Sequence, residues 1–183
     1  PSDNPLIVHI ADMEHLERIT ESIPEAAYTL AQHFWPGPLT MILPKSEEVP
    51  LQTTGGLHTV AVRMPSHPVA MAFIEAAGGY IANLSGKPSP TLAKFVAEDM
   101  DGRIDMIIDG DGIEIGLEST IVDLTGEKPM ILRPGYITRE MLRDVLGEVE
   151  VDRTILSADS KEPPKAPGMK YRHYAPKGEL TIV

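Results

Sequence analysis

The densest group of hydrogen-bonding residues in the chain is the stretch 83–91, which reads Asn-Leu-Ser-Gly-Lys-Pro-Ser-Pro-Thr. Thr91 opens a predicted helix, so hydroxyls, an amide and backbone N–H groups meet at a helix N-terminus. Such a set of donors suits a phosphate. Serine and threonine before a helix are also typical of a simple cap. Composition alone favours the cap.

Two arginines close predicted strands. Arg63 ends the run 59–63 and shares a face with Thr59, because alternate residues of a strand point the same way. Arg133 follows the apolar run 130–132. The Arg63 guanidinium could clamp a carboxylate in a bidentate pair, although taken alone it fits a strand end in water. Arg133, with Pro134 and Gly135 after it, is typical of an exposed turn.

Three further places have both a functional and an ordinary interpretation. Ser119 begins a predicted strand, which is a common place for ligand-facing hydroxyls and also an ordinary junction. His9 follows an apolar run and is typical of a hydrogen-bonded core histidine. The segment 170–176 mixes cations with aromatics inside a predicted linker, where aromatics are unusual.

Two familiar ligand loops are excluded. A phosphate loop around Gly86-Lys87 would need its first glycine at Ile81, and Pro88 replaces the required serine or threonine. The acidic stretch that follows Ile107 resembles a calcium loop, but that isoleucine occupies the first ligand position. The sequence contains no closely spaced histidine pair and no cysteine, so we predict no metal site built by the protein.

Composition narrows the class of protein. The 183 residues suit one domain, or one domain with a tail, and 42% of them are hydrophobic. The net charge of −11 repels a polyanion, which disfavours strong binding of nucleic acid and favours a small-molecule enzyme. No apolar run reaches the roughly 18–20 residues that span a bilayer, so no membrane partner is expected. The absence of cysteine fits a reducing compartment, and we expect a cytoplasmic location.

Helical and strand patterns alternate, which predicts an α/β fold. Neighbouring strands without a helix between them favour a mixed sheet over a fully parallel one. Strands are predicted at 6–10, 39–43, 59–63, 105–108, 119–124 and 130–132, and a short apolar stretch at 80–82 leads into a polar loop. Helices are predicted after Asp12, from Pro24, and over 67–77, 91–100 and 137–146, the last capped by Thr138. The segment 152–178 is interpreted as a linker.

Several segments together resemble the YrdC-like threonylcarbamoyl-adenylate synthases. The family's motifs recur in order at 34–40, 59–65, 83–91, 116–123 and 131–135. The segment 166–176 is similar to the linker of the two-domain members. The resemblance predicts a concave nucleotide cleft and three regions: a catalytic domain at 1–151 that lacks its N-terminal part, the linker at 152–178, and the start of a Rossmann-like domain at 179–183. We therefore expect a fragment of a longer protein.

The resemblance implies a nucleotidyltransferase that makes threonylcarbamoyl-adenylate from L-threonine, bicarbonate and ATP, with Mg²⁺ as the expected cofactor. Downstream transfer proteins would use that product to modify adenosine 37 of tRNAs that read ANN codons. Matching positions for ATP are Asn4, Thr59, Asn83, Ser89, Arg133 and Tyr174. Matching positions for threonine are His9, Arg63 and Ser119. No catalytic residue is assigned, because the family's Lys-x-Arg motif would lie before residue 1.

The sequence departs from the family's motif pattern at one place, and two other functions are alternatives to the synthase. Ile81 stands where the family's Ser-x-Asn motif has its serine, and the chain is about four residues shorter there. The first rival is a module that binds RNA through the same cleft. The second is the carbamoyl-adenylate-forming domain of a hydrogenase-maturation protein. The acidic charge disfavours the former, and the tyrosine-bearing linker disfavours the latter.

Overall fold

A computed structural model describes residues 4–83, 92–112 and 115–152 of the chain. The strands in these ranges are β1 (Ile7–Ile10), β2 (Leu39–Pro44), β3 (Thr59–Arg63), β4 (Tyr80–Asn83), β5 (Thr120–Asp123), β6 (Met130–Arg133) and β7 (Glu150–Val151). The helices are α1 (Met13–Ile19), α2 (Glu25–Phe34), α3 (Pro68–Ala76), α4 (Ala93–Met100) and α5 (Arg139–Leu146).

The strands form one mixed sheet in the order β4-β1-β3-β2-β5-β6-β7. The pairs β1–β3, β2–β5 and β6–β7 are parallel, and the remaining neighbours are antiparallel. The α/β class and the mixed sheet predicted from the sequence are therefore confirmed. The antiparallel pairs β2–β3 and β5–β6 are the places where consecutive strands have no helix between them.

Strand direction decides which residues meet. β1, β3 and β6 run one way, whereas β2, β4 and β5 run the other way. The C-terminal ends of the first three strands therefore lie beside the N-terminal ends of the other three. We call this side the upper end of the sheet, and it brings together the two strand-closing arginines, Arg63 and Arg133.

The two faces of the sheet are covered unequally. One face packs against α1, α2 and α5 through a large buried cluster that includes Leu16, Leu30 and Leu142. The other face holds a small cluster of Ile7, Ile42, Ala61, Ile121 and Leu132. Residues alternate between the faces along each strand. Among the described residues the second face is therefore thinly covered, and polar side chains complete it at the upper end.

Two predicted helix caps are confirmed. The carboxylate of Asp12 accepts a hydrogen bond from the backbone N–H of His15 at 3.0 Å, at the start of α1. The hydroxyl of Thr138 accepts one from the N–H of Met141 at 3.3 Å, at the start of α5. Both bonds satisfy N–H groups that have no partner within the helix.

The strand predicted at 105–108 is wrong. The segment has no regular structure and pairs with no described strand, and the side chain of Met106 is 76% exposed. A strand is stable only when its N–H and C=O groups bond to a neighbour, which an apolar run by itself does not supply. Conversely, β4 and the short strand β7 were not predicted as strands. Among the described helices, none is long and apolar enough to cross a membrane.

The large cluster supports a stability prediction. Leu30 of α2 is fully buried, so Leu30→Ala should lower the free energy of unfolding by about 2–5 kcal/mol. Leu51→Ala is the matched control, since Leu51 is 46% exposed, and we expect a change within about 0.5 kcal/mol. Urea unfolding followed by the fluorescence of Trp35 measures both variants. Equal losses would contradict the assignment of the core.

Candidate active site

A row of residues in register crosses the sheet near its upper end. Its paired positions, from one side to the other, are Ile81, His9, Arg63, Thr40, Ile121 and Arg133. Residues directly opposite each other on neighbouring strands point to the same face. The row therefore places an imidazole, two guanidinium groups and a hydroxyl on the thinly covered face.

Arg133 reaches that face because β6 contains an irregularity. Ile131 packs in the large cluster and Leu132 in the small one, so simple alternation would turn Arg133 away from the site. However, Val122 pairs with Ile131 and Ile121 with Arg133, so two residues of β6 stand opposite one of β5. This β-bulge re-aims the arginine side chain.

Ser119 holds Arg133 at two points. The Nε of Arg133 donates to the backbone oxygen of Ser119 at 3.0 Å, and its Nη2 donates to the Ser119 hydroxyl at 3.0 Å. The same hydroxyl lies 2.8 Å from the hydroxyl of Thr40 on β2. Thr40 and Ser119 are both buried. The serine is thus the centre of a small polar network that joins β2, β5 and β6.

Glu118 balances the positive charge of the site. Its carboxylate oxygen lies 3.7 Å from Nη2 of Arg133. Burial lowers the pKa of Arg63, Glu118 opposes that shift, and Arg133 adds to it. An arginine stays protonated even so. Two guanidinium groups and one carboxylate leave a net positive charge, which suits an anionic ligand inside an acidic chain.

A hydrogen bond to the turn before β2 holds the side chain of Arg63 in place. Its Nε donates to the backbone oxygen of Gly37 at 3.1 Å, and the Gly37 N–H donates to Met64 at 2.8 Å. A side chain at Gly37 would collide with the backbone oxygen of Phe34, so only glycine fits this close approach. The turn before β2 therefore positions an arginine of β3.

His9 is a buried imidazole beside a cation. Burial, and then the charge of Arg63, lower the pKa of His9 from 6.5 to about 4, and a weaker interaction with the backbone of Ile7 opposes the shift. The ring is therefore neutral at pH 7. Its Nδ1 has no hydrogen-bond partner among the described residues. A neutral imidazole with an unused nitrogen can bond a ligand without adding charge.

Three further predicted site residues occupy positions away from the upper end. Thr59 opens β3 and Asn83 closes β4, both at the lower end of the sheet, and Asn4 precedes β1. Thr59 is about 13 Å from Arg63 along the strand, at roughly 3.3 Å per residue. The Asn4 side chain is buried, and its Oδ1 has no partner among the described residues.

The structure thus brings Arg133, predicted for the nucleotide, to the residues predicted for threonine. Ser89, Tyr174 and the side chain of Asn83 lie outside the described residues, and so does the donor-rich segment 84–91. Thr40 and Glu118 were not predicted as site residues. Thr40 lies in the motif segment 34–40 and Glu118 in the segment 116–123, and this membership is the sequence signal that could have identified them.

Comparison with known proteins gives two family matches. The family of Sua5, YciO and YrdC, described as "Telomere recombination", matches residues 1–135. The chain belongs to this family. A second family, described as "Threonylcarbamoyl-AMP synthase, C-terminal domain", matches residues 137–183. The resemblance to YrdC-like proteins inferred from the motifs is therefore confirmed.

Relatives within the family are close in sequence and in fold. The threonylcarbamoyl-AMP synthase of Pyrococcus abyssi is 54% identical over 187 residues, covering 100% of this chain and 55% of that protein. That of Bacillus subtilis is 52% identical, covering 100% and 54%. The crystal structure of P. abyssi Sua5 complexed with L-threonine matches with a TM-score of 0.92 and 54% identity, covering 98% and 54%. The chain spans about half the length of these relatives.

The junction of β5 and β6 in this family member supports a prediction about Gly135. A Cβ at Gly135 would lie 2.6 Å from the backbone nitrogen of Thr120 and would also collide with the backbone oxygen of Glu118. In Gly135→Ala the added methyl group should push the segment after β6 away from the start of β5. This should lower the free energy of unfolding by about 1–3 kcal/mol. In the matched control Gly126→Ala, the nearest atom is 3.8 Å away, so no loss is expected. Urea unfolding compares the two, and equal stabilities would contradict the close packing.

The pKa of His9 predicts a pH dependence of stability. Between pH 6.5 and about 4 the unfolded state binds a proton that the buried ring does not, so acidification favours unfolding. The loss should total roughly 3 kcal/mol, at about 1.4 kcal/mol for each unit of pKa shift. His9→Gln should remove this part of the loss. Urea unfolding from pH 7.5 to 4 measures it, and parallel curves for the two proteins would contradict a buried neutral His9.

Proposed function

We propose that this chain carries the active site of an L-threonylcarbamoyladenylate synthase. Such an enzyme converts L-threonine, bicarbonate and ATP into threonylcarbamoyl-AMP and pyrophosphate. The observation that carries the proposal is the partly buried cluster of Arg63, Ser119 and Arg133, which lies in a chain that shares more than half of its residues with synthases of that name.

Threonine is assigned to the upper end of the sheet. Arg63 is the partner for its carboxylate, because a guanidinium binds a carboxylate in planar, bidentate geometry. Ser119 offers a hydroxyl, and His9 offers a neutral ring nitrogen. The arrangement suits a small zwitterion, whose carboxylate needs a cation and whose hydroxyl needs an uncharged partner.

ATP is assigned to a path from Arg133 toward the lower end of the sheet. Thr59 and the buried amide of Asn4 lie there, and Asn83, Ser89 and Tyr174 complete the proposed set. The two substrates then meet beside Arg133. This position would place a guanidinium next to both the carbamate and the phosphates.

The chemistry needs no nucleophile from the protein. The amine of threonine adds to bicarbonate with loss of water, and an oxygen of the resulting carbamate attacks the α-phosphorus of ATP. The bond to the β-phosphate breaks, and pyrophosphate leaves. The protein contributes positioning and neutralisation of charge on phosphorus, and arginines are suited to both.

The expected Mg²⁺ has no ligand set in the part of the chain that the structure describes. No group of three His, Asp or Glu side chains there could hold a metal, and Glu118 already faces Arg133. Mg²⁺ usually binds through substrate phosphates with one or two carboxylates. We therefore assign no step of the reaction to it.

The reactivity of the product indicates which kind of protein uses it next. Threonylcarbamoyl-AMP is a mixed anhydride, so proteins that transfer its acyl group to adenosine 37 of tRNA are the proposed consumers, in the cytoplasm. The chain carries a net charge of −11, so we propose that tRNA binds to those proteins and not to this one.

Substitution of Arg63 tests the proposal in the full-length protein. Loss of a charge-assisted bond should weaken L-threonine binding by roughly 10–150-fold in Arg63→Ala. Binding of ATP without threonine should change little. Arg63→Lys should recover only part of the affinity, because lysine keeps the charge and loses the planar fork. Isothermal titration calorimetry with each substrate measures the effects, and the exposed Arg143→Ala is the control.

Arg133 should behave differently from Arg63. Because Arg133 also holds Ser119, we expect Arg133→Ala to weaken both threonine and ATP. A loss of ATP affinity with unchanged threonine affinity in Arg63→Ala would show that the two ends of the cleft are assigned wrongly. Failure of the unaltered protein to bind threonine at all would refute the proposed function.

A further inference from the structure

Thr40 is a buried hydroxyl at the centre of the site. It lies on β2 between Arg63 of β3 and Ile121 of β5 in the cross-sheet row. Its Oγ1 is 2.8 Å from Oγ of Ser119, and no other hydrogen bond of its side chain is seen among the described residues. A valine would fill the same volume and satisfy the strand equally well. The hydroxyl is therefore the feature to explain.

The hydrogen bonds of Ser119 limit what Thr40 can do. A serine hydroxyl has two acceptor lone pairs and one proton. Nη2 of Arg133 fills one lone pair, because a guanidinium can only donate. Either Thr40 donates to the second lone pair, or Ser119 gives its proton to Thr40. In each case one hydroxyl proton is left without an acceptor among these three groups.

Burial distinguishes the two arrangements. If Ser119 donated, the unused proton would belong to Thr40, which is 0% exposed. A buried donor without a partner is costly. If Thr40 donated, the unused proton would belong to Ser119, which is 3% exposed and precedes β5 at the upper end of the sheet. The second arrangement places the unused proton on the hydroxyl that Arg133 contacts, which is also the less deeply buried of the two.

We propose that Thr40 is a positioning residue that acts through Ser119. It donates to the Ser119 hydroxyl, and together with Arg133 it fills both lone pairs. The Ser119 hydroxyl then donates its own proton to an acceptor on the bound ligand. Arg133 contacts the same hydroxyl and Arg63 lies beside Thr40 in the cross-sheet row, so the expected acceptor is an anionic oxygen, either a carboxylate or a carbamate. The identity of that ligand as threonine rests on the proposed function.

Four variants of the full-length protein test the proposal by calorimetry with L-threonine. They are Thr40→Val, Thr40→Ser, Ser119→Ala and the double variant Thr40→Val/Ser119→Ala. Thr40→Val should weaken binding by about 3–10-fold, the range for one neutral hydrogen bond. Thr40→Ser should bind like the unaltered protein. The double variant should bind like Ser119→Ala, because Thr40 has no effect once the hydroxyl it orients is gone.

Thr120→Val is the matched control. Thr120 is also fully buried, but its hydroxyl donates to the backbone oxygen of Ile137 at 2.7 Å and not to Ser119. It should lower stability without a specific loss of threonine affinity. Additive effects of Thr40→Val and Ser119→Ala, or an unchanged affinity in Thr40→Val, would overturn the proposal.

Proton NMR tests the arrangement without any substrate. A buried donating hydroxyl exchanges slowly with water, so the hydroxyl proton of Thr40 should give a signal that Ser119→Ala abolishes. A protected Ser119 proton together with a rapidly exchanging Thr40 proton would reverse the direction of the bond and overturn the proposal. If the Thr40 signal is present but threonine does not bind, the proposed function is wrong and the positioning role stands.

Discussion

The site depends on keeping two guanidinium groups close together in a partly buried place. Each cation loses hydration there, and the two repel each other. Backbone oxygens compensate first, since Arg63 bonds to Gly37 and Arg133 bonds to Ser119. The carboxylate of Glu118 supplies the opposite charge. Without these contacts the two guanidinium groups would not be held together on this face, and the proposed anion site would lose its charge.

The topology of the sheet makes those contacts available. A mixed sheet puts C-terminal ends of some strands beside N-terminal ends of others, so arginines that close β3 and β6 lie beside residues that open β2 and β5. In a fully parallel sheet the starts of β2 and β5 would lie at the opposite end. The bulge in β6 then turns Arg133 to the correct face. Glycine at position 135 lets the chain after β6 come close to β5.

Local sequence patterns predicted most of the helices and strands but not which of them contact each other. Short apolar runs identified β1, β2, β3, β5 and β6, and capping residues indicated the starts of α1 and α5, because these signals lie within a few residues. The apolar run at 105–108 has the same composition as a strand, yet it lacks a partner, which no local pattern reveals. The bond between Thr40 and Ser119 joins positions 79 residues apart, so it follows only from the sheet register. The motif segments contained Thr40 and Glu118 but gave no sign of their contacts.

The unequal covering of the sheet connects stability with function. The large cluster stabilises the fold from one side, which leaves the other face free to carry polar groups that contribute little to stability without a ligand. His9 illustrates this, since its buried Nδ1 has no partner among the described residues. Such atoms raise the free energy of the ligand-free protein, and a ligand that bonds to them recovers that cost. The missing hydrogen bonds that destabilise the ligand-free protein therefore favour a ligand that can form them over one that cannot.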